Sequence, residues 1–80
     1  MEDIIGFEHF YDAQALIRFW NLELLNKGKI KVDDVEGFLG CPLSYDSDMI
    51  WTNLLTVDNF KRDKHGIYIL MLSDPDRPRF

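Results

Sequence analysis

Eighty residues, of which 46% are apolar and 29% charged, carry a formal net charge of −5. The length sets a single small globular domain over residues 1–80, with roughly 60–65% of its unfolded surface buried, and the apolar fraction excludes a disordered chain. The longest uncharged apolar run, Gly66 to Ser73, is too short to cross a bilayer, and Met1-Glu2-Asp3 lacks the basic start of a secretory signal, so a cytoplasmic location is expected.

From His9 to Lys27 the residues Phe10, Ala13, Ile17, Trp20 and Leu24 recur at steps of three and four, the spacing of one helix face. Leu16, Phe19 and Leu22 lie off that stripe and widen the apolar surface, so the helix is expected between two layers or against a partner. Gly28, following Asn26-Lys27, suits a left-handed cap, with the lysine at the negative end of the helix dipole. Ile30 to Val32 then reads as a short extended link. A second helix is predicted over Val32 to Leu39, with Asp33, Asp34 and Glu36 in its opening turns and Val35, Phe38 and Leu39 on its buried side. Gly40-Cys41-Pro42 stops it. Gly37 weakens that helix, since an interior glycine costs about 1 kcal/mol relative to alanine. Cys41 is the only cysteine, which points to a reducing compartment and a buried thiol.

Ser44 to Asp48 forms a polar loop that delivers Trp51 into the fold. Val57 to Arg62 and Ile67 to Leu72 read as two strands of a hairpin, turned through Asp63-Lys64-His65-Gly66. The second strand is apolar on both faces, so a second layer is required. Either the long helix covers one side and Asp3-Ile4-Ile5 adds a third strand, or another copy of the chain does the covering. Ser73 to Phe80, with two prolines, reads as a turn and tail. The fold class is therefore α+β, with a long N-terminal helix and a short second helix packed on a small antiparallel sheet built from the C-terminal hairpin.

The charge is regional. Val32 to Phe60 contains Asp33, Asp34, Glu36, Asp46, Asp48 and Asp58 without one Lys or Arg, so the flanks are near neutral. Like charges repel, which makes a phosphate backbone an improbable partner there and a protein with a basic surface a suitable one. Asp46-Ser47-Asp48 places two carboxylates on one side of an extended segment, but the further ligands, central glycine and terminal glutamate of a calcium loop do not follow. His9 and His65 stand beside no evident nucleophile, the serines lack a small-residue elbow, and Gly37 and Gly40 lack the context of a phosphate loop. No enzymatic activity, cofactor or metal is expected. Lys61, Arg62, Lys64 and His65 gather at the hairpin tip, interrupted by Asp58 and Asp63, and read as a solvated turn rather than a nucleic-acid contact.

A helix ending in Asn26-Lys27-Gly28, a second ending in Phe38-Leu39-Gly40, the segment from Tyr45 to Thr52 and a closing hairpin follow one another over about residues 10 to 75. This order resembles small proteins carried by phages, prophages and integrated mobile elements of Gram-positive bacteria. Leu39-Gly40, Asp48 and Trp51 fit that pattern, whereas Ile50 stands where a glycine precedes the tryptophan. The resemblance implies no catalytic activity. It implies a mobile-element setting, a host-cell cytoplasm, and action by occupying a host protein's surface.

The expected function is a non-enzymatic, acidic protein-binding module, with inhibition of a host nucleic-acid-binding or defence protein as its form. Asp33, Asp34, Glu36, Asp46 and Asp48 supply the field, and Trp51 or Tyr45 supplies the desolvated anchor. The alternative is a structural or assembly protein acting through homo-oligomerisation, with the two-sided strand and wide helix face buried in a homodimer.

Overall fold

Helix α1 (Phe10–Lys27) turns Ala13, Leu16 and Trp20 fully inward in a computed structural model that describes residues 5–77. The helix ends where Gly28 takes φ 75° and its N–H donates to the Leu24 carbonyl, as the sequence predicts. The predicted stripe is rotated. Leu16, three residues after Ala13 and four before Trp20, lies in the core, whereas Phe10, Ile17 and Leu24 are half-buried and Leu22 is exposed.

Strand β2 (Ile30–Lys31) leads directly into helix α2 (Val32–Leu39), whose bounds are those expected. Val32 and Val35 are buried, the Asp34 carboxylate accepts from the Lys31 N–H at 3.3 Å, and Gly40 closes the helix at φ 74°. Cys41 is exposed rather than buried, because the chain turns outward after Gly40 and Leu43 is the next side chain to enter the core.

Strand β3 (Ile50–Trp51) pairs antiparallel with β2, setting Ile30 opposite Trp51 and Lys31 opposite Ile50. The far side of Ile50 is bonded in both directions to Asp76, at 2.8 and 2.7 Å. The C-terminal segment is therefore not a free tail up to Arg77: Pro75 is buried, and the Ser73 carbonyl accepts from Trp51 Nε1 at 2.8 Å.

The hairpin consists of β4 (Phe60–Arg62) and β5 (Tyr68–Leu70), both shorter than predicted. Val57–Asn59 forms a 3₁₀ turn instead of strand, because the Thr56 and Asn59 side chains satisfy the backbone locally: Asp58 N–H donates to Thr56 Oγ1 and Thr56 N–H to Asn59 Oδ1. At the tip, the Asp63 carboxylate accepts from the N–H groups of Ile67 and His65, and these hold its pKa below the ordinary value, with Gly66 at φ 81°. A third strand, β1 (Gly6–Phe7), pairs with β5 and makes it the central strand of the order β1-β5-β4. Ile5 extends that edge by accepting from Leu70 N–H, while Asp3 and Ile4 of the predicted third strand lie outside the described residues.

These two small sheets and two helices close on one core of Leu16, Trp20, Ile30, Val32, Val35, Leu43, Trp51, Leu55 and Leu70. Trp20 and Trp51 meet at its centre, ring centroids 5.0 Å apart. Each indole N–H finds a backbone carbonyl, Trp20 Nε1 donating to Asn53 at 2.8 Å. Asn21 ties α1 to the segment after β3 twice: its Nδ2 donates to the Leu55 carbonyl at 2.8 Å and its Oδ1 accepts from the Leu55 N–H at 2.9 Å. Tyr68 on β5 meets Phe10 of α1 at 5.3 Å, so the long helix covers that face of the sheet. No described helix is long and apolar enough to cross a membrane.

Candidate functional site

The acidic residues converge because the first turn of α2 finds its hydrogen-bond acceptors in the loop before β3. A helix N-terminus leaves backbone N–H groups without intrahelical partners. Here Val32 N–H donates to the Met49 carbonyl at 2.9 Å and Asp33 N–H to the Ser47 carbonyl at 3.1 Å. Met49 N–H in turn donates to the Asp46 carbonyl, folding residues 46–49 into a tight turn. The backbone of Asp33 on the helix is thereby held against the loop that carries Asp46 and Asp48, all three exposed, although 13 positions separate Asp33 from Asp46.

Glu36 has a different task from the one its charge predicts. Its Oε2 accepts from Leu43 N–H at 2.7 Å and its Oε1 from Ser47 Oγ at 3.2 Å, so both oxygens hold the loop to the helix. Asp34, half-buried, is engaged by the Lys31 N–H. Of the predicted set, Asp33 and Asp48 are exposed without an ion-pair partner among the described residues, and the exposed Asp46 is ion-paired with Arg77 at 3.6 Å. Asp58 sits apart on the 3₁₀ turn.

Trp51 is corrected from anchor to core. It is 1% exposed, packed on Trp20 and bonded to Ser73, and offers no surface to a partner. Tyr45 is the aromatic on this face: half-buried, it meets Trp51 edge-on with centroids 5.9 Å apart, so its contact surface is braced from beneath. Asp76 and Arg77 belong to the same neighbourhood through the bridge to Ile50 and the contact with Asp46. Sequence reading missed them, since a single bridge between remote segments carries no periodic signal.

Among the described residues no three His, Cys, Asp or Glu side chains are grouped as a metal centre needs. The chemistry of the surface is electrostatic: a rigid pair of backbone segments presenting carboxylates beside one braced aromatic. Comparison with protein-family models, with curated proteins and with solved structures found no match to this chain.

Proposed function

We propose that this chain is a non-enzymatic, acidic protein-binding module, acting in the mobile-element setting that its sequence resemblance implies. The observation that supports the reading is the hydrogen-bonded junction of α2 with residues 46–49, which holds the backbone of Asp33 against Ser47, between the exposed Asp46 and Asp48. Fixed carboxylates steer a basic surface into encounter, and a braced aromatic contributes contact area at little conformational cost. The partner is a protein with a basic surface, of the kind that nucleic-acid-binding and defence proteins present, and the module inhibits by covering it.

The test is capture from a Gram-positive lysate at low and moderate salt, followed by association kinetics with the captured protein. The triple variant Asp33→Asn, Asp46→Asn, Asp48→Asn leaves Glu36 and Asp34 to their structural bonds. Its association rate is expected to fall about tenfold or more at low salt and to lose most of its salt dependence. An association rate that is equal in both chains at every salt concentration removes the steering role.

A further inference from the structure

The face of α1 turned away from the core is apolar as well. Tyr11, Leu22 and Leu25 are 78%, 55% and 81% exposed, and Ala15 lies half-buried between them. With Arg18 they occupy positions 11, 15, 18, 22 and 25 of the chain. Those steps alternate four and three, the 3.5-residue repeat of a helix-pairing seam rather than the wider stripe of a core-facing helix. The 18-residue helix is about 27 Å long, so the seam runs nearly its whole length.

Beside the N-terminal half of this seam lies an open cavity of about 530 Å³. Phe7, Phe38 and Ala15 give it apolar walls, and Glu8 and Asp12 give it two carboxylates, with no Lys or Arg among the described residues that line it. Among the described residues neither carboxylate is in an ion pair, and neither is Arg18, the one cation in the apolar seam. The molecule thus carries both halves of a charge match at one helix, Arg18 in the seam and Glu8 and Asp12 at the helix start, and no side chain among the described residues pairs with them.

Parallel pairing of two such helices opposes Arg18 to Arg18. The antiparallel register that sets Tyr11 opposite Leu22 also sets Arg18 opposite Ala15, the smallest side chain of the seam and a wall of the acidic cavity. We infer that the outer face of α1 is a self-complementary interface for a second copy of this chain, paired antiparallel, with Arg18 of each copy entering the Glu8–Asp12 cavity of the other. A two-fold axis repeats the contact, so one patch supplies both sides. The surface is distinct from the acidic junction of α2 with residues 46–49, and the two can be tested separately.

The experiment is sedimentation of the full chain from about 5 to about 500 µM, where mass action exposes a weak dimer. The average mass is expected to rise from 9.5 kDa toward twice that value. Leu22→Glu, at an exposed position that leaves the circular dichroism spectrum unchanged, is expected to raise the dimer dissociation constant about tenfold or more. Arg18→Glu is expected to weaken the dimer, and adding Asp12→Arg in the same chain to recover most of the loss. In a Cys41→Ser background, Tyr11→Cys chains mixed with Leu22→Cys chains are expected to cross-link to each other more readily than Leu22→Cys chains to themselves. A monomer across the whole range, or a dimer indifferent to Leu22→Glu, overturns the inference. Failure of the charge exchange to restore the dimer overturns the placement of Arg18, and preferential Leu22→Cys self-cross-linking overturns the antiparallel register.

Discussion

Replacing Asn21 by alanine removes two hydrogen bonds that reach the same backbone residue. The Leu55 N–H and C=O are the groups affected, and Leu55 is 1% exposed. A buried polar group left without its partner costs about 1–3 kcal/mol, and partial entry of water at the opened site reduces the sum, so Asn21→Ala is expected to cost about 2–4 kcal/mol. Against a total of about 5 kcal/mol for a chain of this size, that is a large part of the stability. The melting temperature is expected to fall by about 8–32 °C, at about 4–8 °C per kcal/mol. Urea unfolding followed by tryptophan fluorescence suits the measurement, because the Trp20–Trp51 contact sits in the same core. Asn21→Asp sharpens it. That side chain keeps an acceptor for the N–H, but once ionised it turns an oxygen toward the Leu55 carbonyl, which raises its folded pKa above the ordinary value of about 3.9. The contribution of a group raised in this way is complete below the unfolded pKa and is lost as pH rises through the folded one. Asn21→Asp is therefore expected to approach wild-type stability near pH 4 and to fall toward Asn21→Ala at neutral pH. A loss below about 0.5 kcal/mol for Asn21→Ala with an unchanged urea slope would refute the reasoning, since it would mean Leu55 is satisfied without Asn21.

Three further outcomes are expected. Gly37 lies inside α2 with open space where a Cβ would stand, so Gly37→Ala should stabilise by about 0.5–1 kcal/mol in a thermal melt; a loss would show that the glycine is needed for packing. Asp63 has a depressed pKa because the Ile67 and His65 N–H groups hold its carboxylate, so its contribution is complete above about pH 3.9 and lost as pH falls through the lower folded value. Asp63→Ala should accordingly be destabilised at neutral pH and converge on the wild type in acid, whereas parallel pH curves would remove the linkage. Glu36→Ala frees the loop from α2, and hydrogen exchange at Leu43 N–H should accelerate by at least an order of magnitude while the Trp20 environment is retained. Unchanged exchange there would mean another group holds the loop.

Helix α2 was legible in its bounds because its acids and Gly40 agree on them, but not in its buried side: Phe38, expected there with Val35 and Leu39, is 41% exposed, and Val32 is buried instead. Helix α1 was legible as an element but not in its orientation. With Leu16, Ile17, Leu22 and Leu25 placed around its circumference, spacing alone does not distinguish the core face, which the packing of Leu16 against the other buried side chains decides. The pairing of β2 with β3 left no pattern to find, since two-residue strands separated by a helix and a loop are too short for alternation to register. The same limit hid the bridge from Ile50 to Asp76. At the candidate site the charge of the region was readable, but the division of labour within it was not: Glu36 and Asp34 spend their oxygens on backbone and hydroxyl donors, and only coordinates distinguish such acids from Asp33, Asp46 and Asp48.

The pairing of β1 with β5 also fixes an order of events during synthesis. Gly6 and Phe7 are made before either helix, yet their strand partners Ile69 and Tyr68 are made after both, and Ile50 likewise precedes its partner Asp76. The central strand of the three-stranded sheet thus emerges after both helices have left the ribosome, and the core side chains Leu16 and Trp20 have no Leu70 to close over them until then. Contacts this distant in sequence delay folding until the segment through Leu70 has been made. Emergence of residues 68–76, rather than formation of either helix, is the step that completes this fold.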